Sequence, residues 1–451
     1  MFKHLNRHGL ITLLASASFA TGCFAANPFI TSIYTADPSA HVWSDGRLYV
    51  YPSRDIDPPR GCDLMDQYHV FSTADMVNWR DEGEILRASQ VPWGRKEGGF
   101  MWAPDCAFKD GTYYYYFPHP SETKWNDSWK IGVATSTKPA SDFKVVGFIE
   151  GTGGFAMIDP AVFMDDDGQA YIYFGGGGKC SGGKLKAGMT ELEGPVQPMT
   201  GLKDFHEATW VFKRKGIYYL TYADNNPRVN RLQYATSSNP LGPWTAKGVY
   251  LEPTDCDTSH GSVVEYKGQW YAFYHNKSLS GKGNLRSICV DKLNFNDDGT
   301  LQTVVQTKTG VPSVGPASAP SPDLVKYEVR NASLGGSATI EDDNAASGGK
   351  SGQNLHLKDS YLQWNNVSGG KSGGRATIDI HYAAEGNAKL KLFVNNADYS
   401  FVNTPSTGGW GQYTGHSLLT VPLGAGKTNL IKLVGGNSGV NVDYITVSPL
   451  P

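Results

Sequence analysis

The sequence predicts an all-β chain, a five-bladed β-propeller followed by a β-sandwich of the jelly-roll type. Three observations carry this. A turn ending in Gly and feeding an aromatic-rich strand recurs five times. The composition sets 53 Gly, 24 Tyr and 11 Trp against only 18% charged residues, the balance of tight turns and pleated surfaces. No long helical periodicity interrupts the pattern.

With 451 residues, two domains are the expectation. Lys3 and Arg7 form a basic start, and Leu10 to Ala20 is an apolar run too short to span a bilayer. Residues 1–26 therefore read as an export signal. Cleavage before Ala26, after Cys23-Phe24-Ala25, is the favoured ending; lipid anchoring through Cys23 is the alternative. The expected location is secreted or periplasmic. No later stretch is apolar enough to be a membrane span.

The repeat follows. It begins with Asp45-Gly46-Arg47-Leu48-Tyr49-Val50-Tyr51 and recurs at Asp110-Gly111, Asp167-Gly168, Lys215-Gly216 and Lys267-Gly268, each followed by an aromatic strand. The glycines lie 65, 57, 48 and 52 positions apart. A period near 50 with several short strands per unit is that of a propeller, placed over residues 27–308. Residues 309–324, rich in Gly, Pro, Ser and Ala, read as a linker. Strand patterning then returns over 325–451, at Ala376 to Ile380, Leu390 to Val394 and Val442 to Val447.

A net charge of −3 gives no reason to expect a nucleic acid or an anionic membrane as partner. Five cysteines remain after cleavage, none at C-x-x-C spacing, which argues against zinc and for small buried hydrophobes. The chain is expected to be a monomer without an organic cofactor.

The chemistry lies just before the turns. Asp37, Asp159 and Glu207 each lie nine residues before a repeat's Gly; His260 lies eight before and Asp105 six before. The first strand of a propeller blade lines the central channel, so these groups converge on one axial pocket. Acids crowded in a pocket push their pKa values apart, which supplies one proton donor and one base. Alone, an Asp beside a Pro is a turn or cap residue; three acids in register are not. Asp105 reads equally as a buried structural acid, and Asp165-Asp166-Asp167-Gly168 reads as a solvated hairpin turn. The long segments 52–66 and 87–100 are expected to cap the pocket, with Asp55, Asp57, Arg60, Trp93 and Phe100 as candidates to close it.

Residues 27–305 resemble glycoside hydrolase family 43 through Ala36-Asp37-Pro38, Met101-Trp102-Ala103-Pro104-Asp105, Ile158-Asp159-Pro160, His206-Glu207-Ala208, Ser259-His260-Gly261-Ser262 and Asn284-Leu285-Arg286. The resemblance implies an inverting hydrolase with Asp37 as general base, Glu207 as general acid, and Asp159 orienting the acid and tuning its pKa. It implies sugar contacts from Trp102, Asp105, His260 and Arg286, and a channel calcium site at His260. Inversion calls for roughly 6.5–9.5 Å between the carboxyls of Asp37 and Glu207. The implied activity is exo-acting, α-L-arabinofuranosidase or β-xylosidase, on hemicellulose or pectin side chains. A β-D-galactofuranosidase and a non-catalytic sugar-binding propeller are the alternatives. Residues 325–449 resemble a carbohydrate-binding module of the family 6/35 type, through Tyr327-Glu328, Tyr361-Leu362-Gln363-Trp364, Gly408-Gly409-Trp410 and Asn441-Val442-Asp443-Tyr444. That resemblance implies a structural calcium at Glu328 and Asp443, although Arg330 stands where a second acid is common. A purely structural module packed on the propeller is the other reading.

Overall fold

A computed structural model describes residues 26–57, 61–122, 128–152, 157–226, 230–315, 323–436 and 439–450, with the backbone alone at 61 and 62. The expected export signal up to Ala25, Cys23, Arg60 and residues 316–322 of the expected linker lie outside the described residues.

The chain is built almost wholly of antiparallel sheets. The first holds β1 (Thr35–Val42), β2 (Leu48–Arg54), β3 (Gln67–Thr73) and β4 (Trp79–Arg87) in that order. The second holds β5 (Asp105–Lys109), β6 (Thr112–Pro120), β7 (Trp129–Ser136) and β8 (Lys144–Phe148). The third holds β9 (Ala161–Met164), β10 (Ala170–Gly176), β11 (Lys179–Lys184) and β12 (Gln197–Pro198). The fourth holds β13 (Phe205–Arg214), β14 (Ile217–Asp224), β15 (Leu232–Ser237) and β16 (Thr245–Leu251). The fifth holds β17 (Ser262–Tyr266), β18 (Gln269–Asn276) and β19 (Ser287–Lys292). The second strand of each is the aromatic strand of the repeat, and Tyr51, Tyr115, Tyr173, Tyr219 and Tyr271 on those strands are all buried. Each repeat Gly sits in the left-handed region, at φ +76° to +82°, where a Cβ is disfavoured and a tight reversal is not.

First strands neighbour first strands: β1 lies against β5, β5 against β9, β9 against β13, β13 against β17, and β17 against β1. The residues at the start of these five strands therefore share one centre.

Beyond residue 323 come β20 (Val325–Glu328), β21 (Ser333–Gly335), β22 (Thr339–Asp342), β23 (Lys350–Gln353), β24 (Tyr361–Val367), β25 (Gly374–Ala383), β26 (Ala388–Val394), β27 (Ala397–Thr404), β28 (Gly415–Leu423), β29 (Asn429–Gly435) and β30 (Asn441–Pro449). They form two sheets, ordered β22-β23-β30-β25-β28 with β20 on β30, and β21-β24-β29-β26-β27. This C-terminal unit is docked on the N-terminal sheets. Thr420 N–H donates to Asp81 Oδ2 at 2.8 Å, Asn403 N–H to Ser32 O at 2.8 Å, and the Arg375 guanidinium to Ala140 O at 2.9 Å and to Glu82 O. One continuous apolar cluster runs from Trp79 and Phe273 into Leu419 and Val421.

Candidate active site

The repeat brings its acids together by distorting the strands that carry them. The β1 ladder shifts register between Ala36 and Ser39, and Asp37 between them has φ +51°. Asp159, just before β9, has φ +54°; in β13 the register shifts on both sides of Glu207, with Ala208 at φ +67°. Such bulges re-aim a side chain that a regular strand would bury in its own sheet, and left-handed non-Gly residues are a strain held in place by the surroundings.

Asp37, Asp159, Glu207, Trp102, His260 and Arg286 line one cavity of about 180 Å³, with Met65, Ile158, Thr258 and Ser259 completing the wall. Arg286 is buried and its Nη1 donates to Asp37 Oδ1 at 2.8 Å. The Ser53 hydroxyl donates to Asp37 Oδ2 at 2.5 Å. Burial alone would raise the Asp37 carboxyl, but Arg286 foremost, then His275, His260 and Ser53, hold it below the ordinary carboxylate range. Asp159 behaves in the opposite way. Burial and then the charges of Glu207 and Asp37 push it well above its usual value. Glu207 is also raised, by burial first, with Asp37 adding to it against His206 and Arg286. One pocket thus holds a carboxyl kept below the usual range facing two pushed above it.

Asp159 is tied to the acid's strand through its backbone. The Ala208 N–H donates to Asp159 Oδ2 at 2.8 Å, and the Thr209 hydroxyl donates to Asp159 O. It thereby fixes the residues immediately after Glu207. His260 Nδ1 stands 4.0 Å from Asp37 Oδ1 and 3.8 Å from Asp159 Oδ2, and burial lowers its pKa to about 4.

Three expected contacts sit elsewhere. Asp105 does not border the cavity: it accepts bonds from the Ser39 hydroxyl at 2.5 Å and the Cys106 and Val162 amides at 2.7 and 2.6 Å, and lies 2.6 Å from His41 Nε2. Both of its oxygens are engaged in joining β5 to β1 and β9. Trp93 stacks on Phe117 and packs edge-on to Phe148, while Phe100 lies beside Trp102 and beneath Arg95; neither closes the cavity. The Asp165 and Asp166 carboxylates are bound by Lys213.

Asp55 is a support for the site rather than a cap. It is buried and accepts bonds from Arg286 N, Nε and Nη2 at 2.7 to 2.9 Å. His275 went unnoticed in the sequence. The Asp37 N–H donates to its Nδ1 at 3.1 Å, and its Nε2–H donates to Thr258 O at 2.8 Å. This fixes the neutral tautomer, in keeping with a pKa lowered by burial to about 3. Ser53 was missed for the same reason: it ends an aromatic strand, and no local pattern marks its bond to Asp37.

Neither expected calcium site is a cage of protein ligands. Calcium takes six to eight oxygens; His260 offers a nitrogen, and the described residues contain no group of three or more His, Cys, Asp or Glu able to hold a metal. At the C-terminal unit, Lys326 Nζ sits 2.8 Å from Glu328 Oε1, the Arg330 guanidinium donates to Gly348 O, and Asp443 accepts bonds from Ser347 N and Oγ at 3.0 and 3.1 Å. Lys326, Arg330 and Ser347 take the neighbouring acceptors while Glu328 Oε2 stays buried without a hydrogen-bond partner, so Glu328 and Asp443 offer only part of a calcium shell. No step of the reaction is assigned to a metal.

The cavity has the make-up of a glycosidase site, and comparisons agree. A family model for glycosyl hydrolases family 43 matches residues 25–301, and one for a carbohydrate binding module (family 35) matches residues 336–447. The chain is 36% identical over 336 residues to a xylosidase/arabinosidase 43A of Humicola insolens, covering 61% of this chain and 98% of that one. It is 29% identical over 488 residues to an arabinoxylan arabinofuranohydrolase of Bacillus subtilis, covering 93% and 91%. A β-xylosidase/α-arabinofuranosidase from a compost microbial metagenome, solved calcium-free with xylotriose, superposes with a TM-score of 0.57 at 37% identity over 62% of this chain and 97% of that one. The chain belongs to glycoside hydrolase family 43.

Proposed function

We propose that the protein is an exo-acting, inverting hydrolase that removes terminal pentose units, α-L-arabinofuranosyl or β-xylosyl, from hemicellulose or pectin side chains. The observation that carries this is the meeting of three carboxyls in one small cavity with opposite shifts, Asp37 lowered and Asp159 and Glu207 raised. Asp37 takes a proton from a water, whose oxygen attacks the anomeric carbon. Glu207 gives its proton to the leaving oxygen as that bond breaks. One displacement inverts the centre. Asp159 holds the backbone just after Glu207, whose pKa is raised by burial and by Asp37. Arg286 and His260 face the sugar, Trp102 forms a wall, and the cavity's size favours a single terminal unit. The pentose reading is supported by the names of the relatives.

In this reading the five N-terminal sheets are the blades of a propeller over residues 27–308. Residues 309–324 are a linker, and 325–451 form a jelly-roll sandwich that binds carbohydrate. Its cleft holds Asp343, Asn354, His356, Trp410 and Asn441. The protein is exported and acts as a monomer. The test is a screen of nitrophenyl arabinofuranoside, xyloside and galactofuranoside, with proton NMR of the first anomer released. Cleavage of the pentosides with inversion is expected. Preference for the galactofuranoside would move the substrate class, and retention or mid-chain cutting would overturn the mechanism.

A further inference from the structure

Two aromatic rings stand among the large hydrophobic side chains that the described residues leave exposed, Trp410 at 41% and Phe401 at 57%. Each borders a cavity. Trp410 lines the cleft of the C-terminal unit. Phe401 lines a different one, of about 500 Å³, whose other walls include Tyr34, Asp57, Ser280, Lys389 and Asn403. Four of its eleven wall residues, Tyr34, Asp57, Leu279 and Ser280, come from segments flanking N-terminal strands, and seven come from the C-terminal unit, on or beside β26, β27 and β29. The cavity therefore exists only because the two units are docked.

Its chemistry suits a neutral polyol. Lys389 Nζ lies 2.5 Å from Asp57 Oδ2 and Lys282 Nζ 3.7 Å from Oδ1, so the carboxylate is ion-paired, while its buried Oδ1 has no hydrogen-bond donor and is open to a hydroxyl. The Tyr34 hydroxyl, raised to about 12 by burial and by Asp57, remains a donor at neutral pH. An exposed ring beside amide, hydroxyl and carboxylate groups is what the C–H faces and hydroxyls of a sugar require.

No residue lines both this cavity and the catalytic pocket, but short segments of chain connect their walls. Asp57 lies two residues beyond Asp55, which holds Arg286. The Ser280 hydroxyl donates at 2.6 Å to the carbonyl of Leu285, the residue before Arg286. Segments 55–57 and 279–286 thus run from wall residues of the interdomain cavity, Asp57, Leu279 and Ser280, to Arg286 of the catalytic pocket and its partner Asp55.

We propose that this cavity is an accessory subsite for the neutral polysaccharide backbone whose terminal unit enters the catalytic pocket, with Phe401 as its platform. The proposal rests on the hydrolase reading above. Its test compares Phe401→Ala and Phe401→Tyr in the full chain, in a Trp410→Ala background so that the other cleft does not mask the effect. In Phe401→Ala the ratio of KM on arabinoxylan to KM on the best nitrophenyl glycoside rises about three- to tenfold, the range of one aromatic contact, and Phe401→Tyr restores it. An unchanged ratio overturns the subsite. Titration of the same variants carrying Glu207→Gln with xylohexaose, followed by NMR, reads binding without turnover. Equal affinity with and without the Phe401 ring overturns the subsite even if the hydrolase reading itself fails, a failure that would show as wild-type inactivity on every nitrophenyl glycoside.

Discussion

At Asp37 and Glu207 the protein sets two carboxyls apart with the same means, burial, and decides the outcome by what each is buried against. Arg286, His275, His260 and Ser53 together outweigh desolvation at Asp37; no cation does so for Asp159. Glu207→Gln is expected to lower kcat on xylo-oligosaccharides roughly a hundred- to ten-thousandfold. The loss should be smaller on nitrophenyl glycosides, whose leaving group needs little protonation, and steady-state kinetics on the two substrates checks this. The same change has a stability consequence. Glu207's folded pKa lies above its unfolded one, so its contribution is greatest below the unfolded value and is lost as pH rises through the folded one. Glu207→Gln should therefore melt higher than wild type at neutral pH, and the gain should vanish near the ordinary glutamate pKa of about 4.3. Asp37 has the reverse sign: its contribution is present above its unfolded pKa and is lost as pH falls through the depressed folded value. Arg286→Met should move the acid limb of kcat/KM to higher pH, and a pH profile of the variant decides it.

At the scale of the element, the strands that open each sheet do more than pair. β5 is anchored through Asp105 to Ser39 and His41 on β1 and to Val162 on β9. Leaving a buried donor without its acceptor typically costs about 1–3 kcal/mol, and Asp105 serves the buried amides of Cys106 and Val162. Asp105→Ala should thus lower stability on that order, measured by denaturant unfolding, while KM of the folded fraction stays near wild type. A large rise in KM with little loss of stability would instead mark Asp105 as a sugar contact. The bulges at Asp37 and Glu207 belong to the same scale, since they turn chain that would be regular strand into pocket wall.

At the scale of the molecule, the N-terminal sheets and the C-terminal unit share one apolar cluster and a polar seam at Asp81, Ala140 and Ser32. They should unfold as one cooperative transition in calorimetry. Arg375→Ala, which leaves the carbonyls of Glu82 and Ala140 without their donor, should cost about 1–3 kcal/mol. Two resolved transitions in the wild type would contradict a shared core. Because Lys326 and Arg330 meet the carboxylate and carbonyl of the C-terminal unit, a chelator should leave that melting temperature unchanged.

The sequence by itself determined the repeat, its strands and the register of its acids. These are local features: a Gly turn, an alternating aromatic strand, and an acid nine residues upstream recur whatever the rest of the chain does. It also fixed six of the cavity's wall residues, because the family motifs carry them. What it could not settle are pairings across the closing of the ring. Asp55 and His275 matter through Arg286 and Asp37, and the bonds that join them link positions 231 and 238 residues apart. No periodicity encodes such a meeting. For the same reason, Asp105 was readable equally as a sugar contact or a scaffold acid, and only the neighbours that took its oxygens decided which. The docking of the C-terminal unit, and the cavity at Phe401 that it creates, likewise exist only once the chain has folded back on itself.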